Sequence, residues 1–360
     1  MKNIVYIGRY NGIIGGIERY MQKSAELLKR NGFAVHCLYT ENGGREQKQF
    51  ADAFDSIAEF STECNLLAHA DLIVIHNIVS ANILQKLPAD KTFFFAHDHN
   101  IYCRRHHYYT PLGRKNCHRK YNALRCLMCS MGRNEAPPIE TYRKFPALVL
   151  SDFMADNLRK NGFKKVIKLP AFIKIQPTER KIMPNGVLRI LFLGQLIRGK
   201  GADLMLKTLN KLDIPFECTI AGDGNDRAML EKMTADFNLQ DKVHFAGFVN
   251  DSETLWQNCD VLFFPIRWQE PFGLVSLEAF SHGIPVVAFD LGGIREYLSD
   301  QCGALIPELD IAAAAQILKQ LYLQPEHLQQ LGNNAIQIAE NKFSEEIFVN
   351  KFKLLTEVLK

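Results

Sequence analysis

Residues 261–289 read VLFFPIRWQEPFGLVSLEAFSHGIPVVAF, and the way this stretch divides decides the fold. Val261–Phe264 is a short unbroken apolar run, as a strand covered on both faces requires. The turn Glu270-Pro271-Phe272-Gly273 follows, and a helix opens after it and closes at His282-Gly283. Pro285–Phe289 is the next apolar run. Strand, turn, helix, strand is the repeating unit of a parallel α/β sheet.

The same unit recurs on either side. Leu188–Leu193 is a strand, Gly194–Gly201 a glycine-bearing turn and Ala202–Leu212 a helix. Phe216–Ala221 ends in Gly222-Asp223-Gly224, and Val243–Phe245 adds another strand. The first half opens alike, with strand Asn3–Ile7, the turn Gly12–Gly16 and helix Glu18–Arg30. Strands at Ala34–Leu38, Leu72–Ile75, Thr92–Ala96 and Ala147–Leu150 follow. Pro170–Gly186 reads as a linker, with Pro177, Pro184 and Asn185-Gly186. The pattern predicts an α/β protein of two Rossmann-like domains, over 1–175 and 186–343. Residues 344–360 form an amphipathic helix, with Ile347, Phe348, Phe352, Leu355 and Val358 on one side, expected to pack back on the first domain.

Composition agrees with a globular chain. Of 360 residues 47% are hydrophobic and 23% charged, which excludes a disordered polyelectrolyte. No apolar run approaches the ~20 residues of a membrane span, and no leader follows Met1. The expected location is the cytoplasm, where the nine cysteines stay reduced unless they hold a metal. The net charge of +4 is unevenly spread. Residues 101–150 carry ten Lys and Arg against Glu135 and Glu140, so the remainder of the chain is net negative. Either an anionic partner or a solvated surface loop accounts for that.

Two elements suit a phosphorylated ligand. Gly273 lets the first helical turn approach a phosphate, and the free amides near Gly273, Leu274 and Val275 point at an anion placed there. Glu278, about a turn further in, can accept from paired ribose hydroxyls, and Glu270 is free to reach sugar hydroxyls. The plain alternative makes Glu270 a helix cap and Glu278 a surface charge. The turn Gly194-Gln195-Leu196-Ile197-Arg198-Gly199-Lys200-Gly201 brings a lysine to a strand's carboxyl end, where open parallel sheets bind phosphates. No Ser or Thr follows Lys200, so it is not a P-loop.

Together these motifs resemble the retaining, GT-B-fold glycosyltransferases of the family 4 type, which include bacterial mannosyl- and lipopolysaccharide-sugar transferases. The glutamate pair with seven residues between, Glu270 and Glu278, carries most of the resemblance. Ile220–Gly224, Phe245–Phe248, Gly292–Glu296, Gly15–Glu18 and Ala96–His99 are similar to the group's other landmarks. The resemblance implies two parallel sheets facing across a cleft, with a nucleotide-sugar donor on the second domain. It implies that Glu278 binds ribose, Glu270 the donor sugar, and Lys200 the diphosphate with the amides of Gly273–Val275. His97 would line the sugar pocket, Gly16 would face the phosphates, and Phe248 would border the base. Gln195 departs from the pattern, which usually has arginine there, and Arg198 is the candidate substitute.

Breaking a sugar–phosphate bond leaves negative charge on the departing diphosphate. No Asp-x-Asp triplet occurs to hold a divalent cation, so no catalytic cofactor is expected. Lys200 and a helix N-terminus can stabilise the charge instead. Same-face attack, with the phosphate taking the acceptor's proton, is the expected route, and His97 or Asp98 are the candidate proton carriers. In the basic segment Cys103, Cys117, Cys126 and Cys129 include a C-x-x-C pair, the half-site of a structural zinc. Neighbouring Arg and Lys would favour their thiolates. His106, His107 and His118 are alternative ligands, and reduced thiols the plain reading. Cys37, Cys64, Cys218, Cys259 and Cys302 read as small buried residues.

The expected function is transfer of a sugar to an anionic glycan or lipid-linked acceptor in cell-surface polysaccharide assembly. Peripheral contact with an anionic membrane follows from the basic segment. One rival is a nucleotide-sugar epimerase or hydrolase on the same fold. Another is a nucleic-acid binder, with Tyr102, Tyr108, Tyr109 and Tyr121 interleaved among the cations, but it leaves the donor motifs without a purpose, so no nucleic acid is expected.

Overall fold

The computed structural model describes residues 2–61, 65–77, 79–110, 115–131, 139–179, 181–249 and 252–357. Cys64, Glu135 and Val358, named above, lie outside them, as do Arg114 and Arg133 of the ten cations counted in 101–150. The chain forms two compact units, Met1–Pro170 with Glu345–Lys360, and Ala171–Ser344.

The first unit holds seven parallel strands: β1 (Asn3–Tyr10), β2 (Ala34–Glu41), β3 (Ser56–Glu59), β4 (Leu72–Ile75), β5 (Thr92–Phe95), β6 (Ala147–Val149) and β7 (Val166–Lys168). Their order is β3-β2-β1-β4-β5-β6-β7. All four residues of β4 and of β5 are buried, as in a strand covered on both faces. The helix Glu345–Glu357 belongs to this unit through Phe348, Phe352 and Leu355, which are buried, and an edge-to-face contact of Phe352 with Phe33 at 5.6 Å.

The second unit holds six: β8 (Leu188–Leu193), β9 (Phe216–Ala221), β10 (Val243–Gly247), β11 (Val261–Phe264), β12 (Val286–Phe289) and β13 (Gly303–Ile306). Their order, β10-β9-β8-β11-β12-β13, reverses direction between β8 and β11. Ligands of open parallel sheets bind at that reversal, beyond the strands' carboxyl ends. Residues 171–183, expected as linker, are tied along this unit. Ile173 N–H donates to Phe343 at 2.8 Å, Gln176 N–H to Ser281 at 3.0 Å, and Met183 N–H to the buried Asp260 carboxylate at 3.2 Å.

Strands β3, β7 and β13 have no counterpart in the sequence reading. All three lie at sheet edges. An edge strand needs no continuous apolar run, and β3 (SIAE) and β7 (VIK) are largely exposed.

Candidate functional site

The loops after β8 and β11 flank the reversal, and they are locked together backbone against backbone. A Cβ on Gly199 would overlap the Trp268 ring, and one on Gly201, at φ +78°, would overlap the Pro265 carbonyl. Arg267 N–H donates to the Gly199 carbonyl at 2.9 Å, while its buried guanidinium pairs with Asp203. The third glycine turn joins them: Leu196 N–H donates to the Asp223 carbonyl at 2.9 Å, and Gly222 leaves no room for a side chain against Gly194. These contacts place Lys200 with precision.

Its ammonium lies 2.9 Å from a Glu270 carboxylate oxygen. Two residues singled out by the sequence therefore meet. Glu270 is not the free group expected above: its side chain and that of Lys200 are 15% and 23% exposed and hold each other. The Lys200 ammonium also lies 5.8 Å from the centres of the Phe264 and Trp268 rings, within cation–π range.

Glu270 is fixed from behind. Gly293 N–H donates to its carbonyl at 2.8 Å, and Gly292, at φ +76°, passes where any Cβ would strike the Glu270 backbone. The helix Leu274–Ser281 begins at Gly273, which sits at φ +92° and ψ +60° and acts as its cap, so Glu270 is no side-chain cap. In that helix Ser276, Leu277, Ala279, Phe280 and Ser281 are buried, while Leu274, Val275 and Glu278 are only half-buried. Residues i, i+1 and i+4 share a face, so Glu278 lies one turn along from the helix's first amides. Gln195 and Arg198 are exposed on the β8 loop, and Phe248 is 49% exposed just beyond β10.

Sequence reading missed Tyr297. It is buried, its hydroxyl donates to the Phe272 carbonyl at 2.8 Å, and it lies 3.0 Å from that of Gly273. It immediately follows the Gly292–Glu296 turn, a position whose adjacency to the landmark was the available signal.

In the first unit His97 follows β5, half-buried, with its Nε2 2.9 Å from Nδ1 of the buried His76. The rings stack at 5.2 Å, and Phe95 stacks on His97 at 4.3 Å. Burial drives His97 down to about 3, and burial and then His97 hold His76 well below its usual value. His97 is thus a neutral hydrogen-bonding group, unsuited to give up a proton at neutral pH. Asp98 moves the other way, raised by burial to about 6 although Asn100 donates two hydrogen bonds to it. Gly16 is exposed at its helix start, with nothing within 4 Å of a hypothetical Cβ.

Cys103, Cys117, Cys126 and Cys129 line one cavity of about 70 Å³. Among the described residues no three His, Cys, Asp or Glu side chains are placed to share a metal ion, so this geometry does not assemble the zinc set. Burial pushes Cys103 up to about 11 against the backbone hydrogen bonds of Arg105 and Tyr108, and raises Cys129 against the nearby Arg105 and Arg119. Cys37, Cys218, Cys259 and Cys302 are buried. Tyr102 and Tyr108, offered above as base-stacking rings, are buried against His99, which removes two of the four from any nucleic-acid surface. No helix among the described residues is long and apolar enough to cross a membrane.

Residues 177–338 match the model of the family described as glycosyl transferases group 1. The uncharacterized glycosyltransferase YqgM of Bacillus subtilis is 31% identical over 183 residues, 49% of this chain and 51% of that protein. The D-rhamnosyltransferase WbpZ of Pseudomonas aeruginosa is 29% identical over 183 residues, 49% of this chain and 45% of that one. The chain spans about half the length of the curated relatives it matches. Among solved structures, Anabaena HepE in complex with UDP and glucose gives a TM-score of 0.77 at 16% identity, covering 99% of this chain and 100% of that one. WaaG, a glycosyltransferase involved in lipopolysaccharide biosynthesis, gives 0.71 at 19%, covering 99% of each. These likenesses show the GT-B fold, a pair of Rossmann-like units. The β8 and β11 loops and the helix after Gly273 all fall within the matched residues, so the chain is similar to the glycosyl transferases group 1 over 177–338.

Proposed function

We propose that the chain is a retaining glycosyltransferase that moves a sugar from a nucleoside-diphosphate sugar to a glycan or lipid-linked acceptor. The observation that carries this is the convergence of Lys200, Glu270 and the Gly273–Val275 amides at the sheet reversal. One cation and a helix N-terminus there can hold a diphosphate leaving group and stabilise its developing charge. Glu278 takes the ribose and Phe248 borders the base, with Arg198 standing in for the arginine that Gln195 replaces. The donor's anomeric C–O(phosphate) bond breaks, the acceptor oxygen bonds to the same face of that carbon, and the acceptor's proton passes to the departing phosphate. The sugar-side roles of His97 and the phosphate-facing role of Gly16 belong to the same proposal. The relatives and neighbours support it: WbpZ is named for rhamnosyl transfer, and HepE was crystallised with UDP and glucose.

Incubation with UDP-, GDP- and ADP-sugars and a polyprenyl-diphosphate glycan should release nucleoside diphosphate only when donor and acceptor are both present. Equal release without acceptor would favour the hydrolase reading instead.

For the acceptor, docking on an anionic leaflet is the reading that the basic segment favours. Residues 101–110 and 115–131 carry Arg104, Arg105, Lys115, Arg119, Lys120 and Arg125 and no acidic residue. In the helix Ala123–Cys129 no residue is buried, and Leu124, Leu127 and Met128 are exposed at i, i+3 and i+4. Exposed apolar groups on one helix face among cations are what an interfacial helix presents to lipid. Each Lys or Arg near such a surface contributes on the order of 1 kcal/mol. Phosphatidylglycerol vesicles should co-sediment the protein and phosphatidylcholine vesicles should not. Arg119→Ser with Lys120→Ser, and Leu124→Ser with Met128→Ser, should each weaken that binding. Indifference to both pairs would make the segment a plain solvated loop.

A further inference from the structure

We propose that Tyr297 is a positioning residue that turns the phosphate-binding amides of the donor site outward. This rests on the reading of that site given above. A trans peptide carries its C=O and the following N–H on opposite sides of one rigid plane. Fixing the Phe272 carbonyl therefore fixes the direction of Gly273 N–H, and fixing the Gly273 carbonyl fixes that of Leu274 N–H. The Tyr297 hydroxyl sits 2.8 and 3.0 Å from those two carbonyl oxygens, on the buried side of the turn. Both N–H groups then face away from the Tyr297 hydroxyl, off the helix's N-terminus.

The rest of the surroundings makes this arrangement rigid. The Tyr297 ring lies 4.9 Å from the Phe272 ring and meets Phe280 and Phe343 edge-on at 5.7 and 5.8 Å, so the phenol cannot swing away. A Cβ on Gly273 would come within 2.9 Å of the hydroxyl, and φ of +92° disfavours any other residue there. Gly293 N–H, four residues before Tyr297, holds the Glu270 carbonyl. Residues 292–297 thus grip the carbonyls of 270, 272 and 273. The first grip sets the carboxylate that faces Lys200, and the other two set the amides.

Tyr297→Phe removes only the hydroxyl and keeps the ring packing. Calorimetric titration of wild type with UDP, GDP and ADP first identifies the diphosphate that binds, and the matching nucleoside is then titrated alone. In the variant, affinity for that diphosphate should fall at least about ten-fold, the scale of a lost charge-assisted hydrogen bond. Affinity for the nucleoside should stay within about two-fold, because the amides face phosphate and not the base. A purely structural tyrosine would weaken nucleoside and diphosphate by the same factor, and that result would overturn the proposal, as would an unchanged diphosphate affinity. Melting followed alongside shows whether the variant remains folded at the titration temperature. If it does not, the titrations of both proteins are repeated at a lower temperature at which the variant is folded, and the same two outcomes decide. Failure of wild type to bind any of the three diphosphates would count against the donor-site reading itself.

Discussion

The Lys200 ammonium and the Glu270 carboxylate, seventy positions apart in sequence, meet at 2.9 Å where the second sheet reverses its strand order. The carboxylate stands beside the lysine where the proposed reaction would put a diphosphate oxygen. On that proposal, donor binding would exchange one anion for another and release Glu270 to a sugar hydroxyl.

Lys200→Ala should lower turnover by at least about 100-fold, the scale of losing one preorganised charge stabiliser. It should also lower stability, because a carboxylate only 15% exposed is left without its cation. Between exposed and buried pairs the cost is about 1–2 kcal/mol, or roughly 2–6 °C in melting temperature. Adding Glu270→Gln should restore most of that melting loss without restoring turnover. A single variant that melts like wild type would show that the pair contributes nothing to the fold.

Much of this arrangement was legible beforehand, and the illegible parts share a cause. Runs such as Leu72–Ile75 and Val261–Phe264 announce themselves because both their faces are covered. Edge strands β3 and β7 do not, since most of their residues are exposed. Lys200, Glu270 and Glu278 could be named from motif chemistry, but the ion pair could not, because spacing along the chain does not say which loops lie beside each other. Tyr297 reads as one more buried aromatic until its hydroxyl is seen against two carbonyls. The four cysteines of the basic segment, far apart in sequence, do line one cavity, which C-x-x-C spacing alone could suggest only for Cys126 and Cys129.

Glu278→Ala should weaken nucleoside binding about ten-fold, the value of hydrogen bonds to a charged group. Its half-buried place on the outer stripe of its helix predicts little change in melting. Titration with nucleoside and with inorganic pyrophosphate separates the effects, and a loss confined to pyrophosphate would contradict the ribose assignment.

The His76–His97 pair gives a pH dependence of definite sign. Both folded values lie below the ordinary 6.5, so the stability they contribute is complete above that pH and is lost as pH falls toward the folded values. Asp98, raised to about 6, acts oppositely: its contribution is complete below 3.8 and is lost as pH rises through 6. His97→Gln removes only the first effect at that position. Between about pH 7 and pH 5 the variant should lose less stability than wild type, by on the order of 1 kcal/mol after allowance for His97's partial exposure. Urea midpoints at the two pH values measure this, and parallel losses would contradict it.

Activity should survive brief treatment with EDTA, since Lys200 and the helix amides are assigned the work of a divalent cation. The same sample should show Cys103, Cys117, Cys126 and Cys129 titrating as thiols after mild unfolding, with less than one zinc per chain. Stoichiometric zinc would mean that the four sulfurs close on an ion in another geometry. Rapid loss of turnover on chelation would count against the metal-independent mechanism.

The most direct test of the donor-site assignment is calorimetric titration of UDP, GDP and ADP into wild type and Lys200→Ala. The account predicts that wild type binds at least one diphosphate with saturable, one-to-one stoichiometry. It predicts that Lys200→Ala binds the same diphosphate at least about ten-fold more weakly, with affinity for the nucleoside unchanged. Equal diphosphate affinity in the two proteins, or none in wild type, would contradict the placement of a nucleoside diphosphate against Lys200 and the Gly273–Val275 amides.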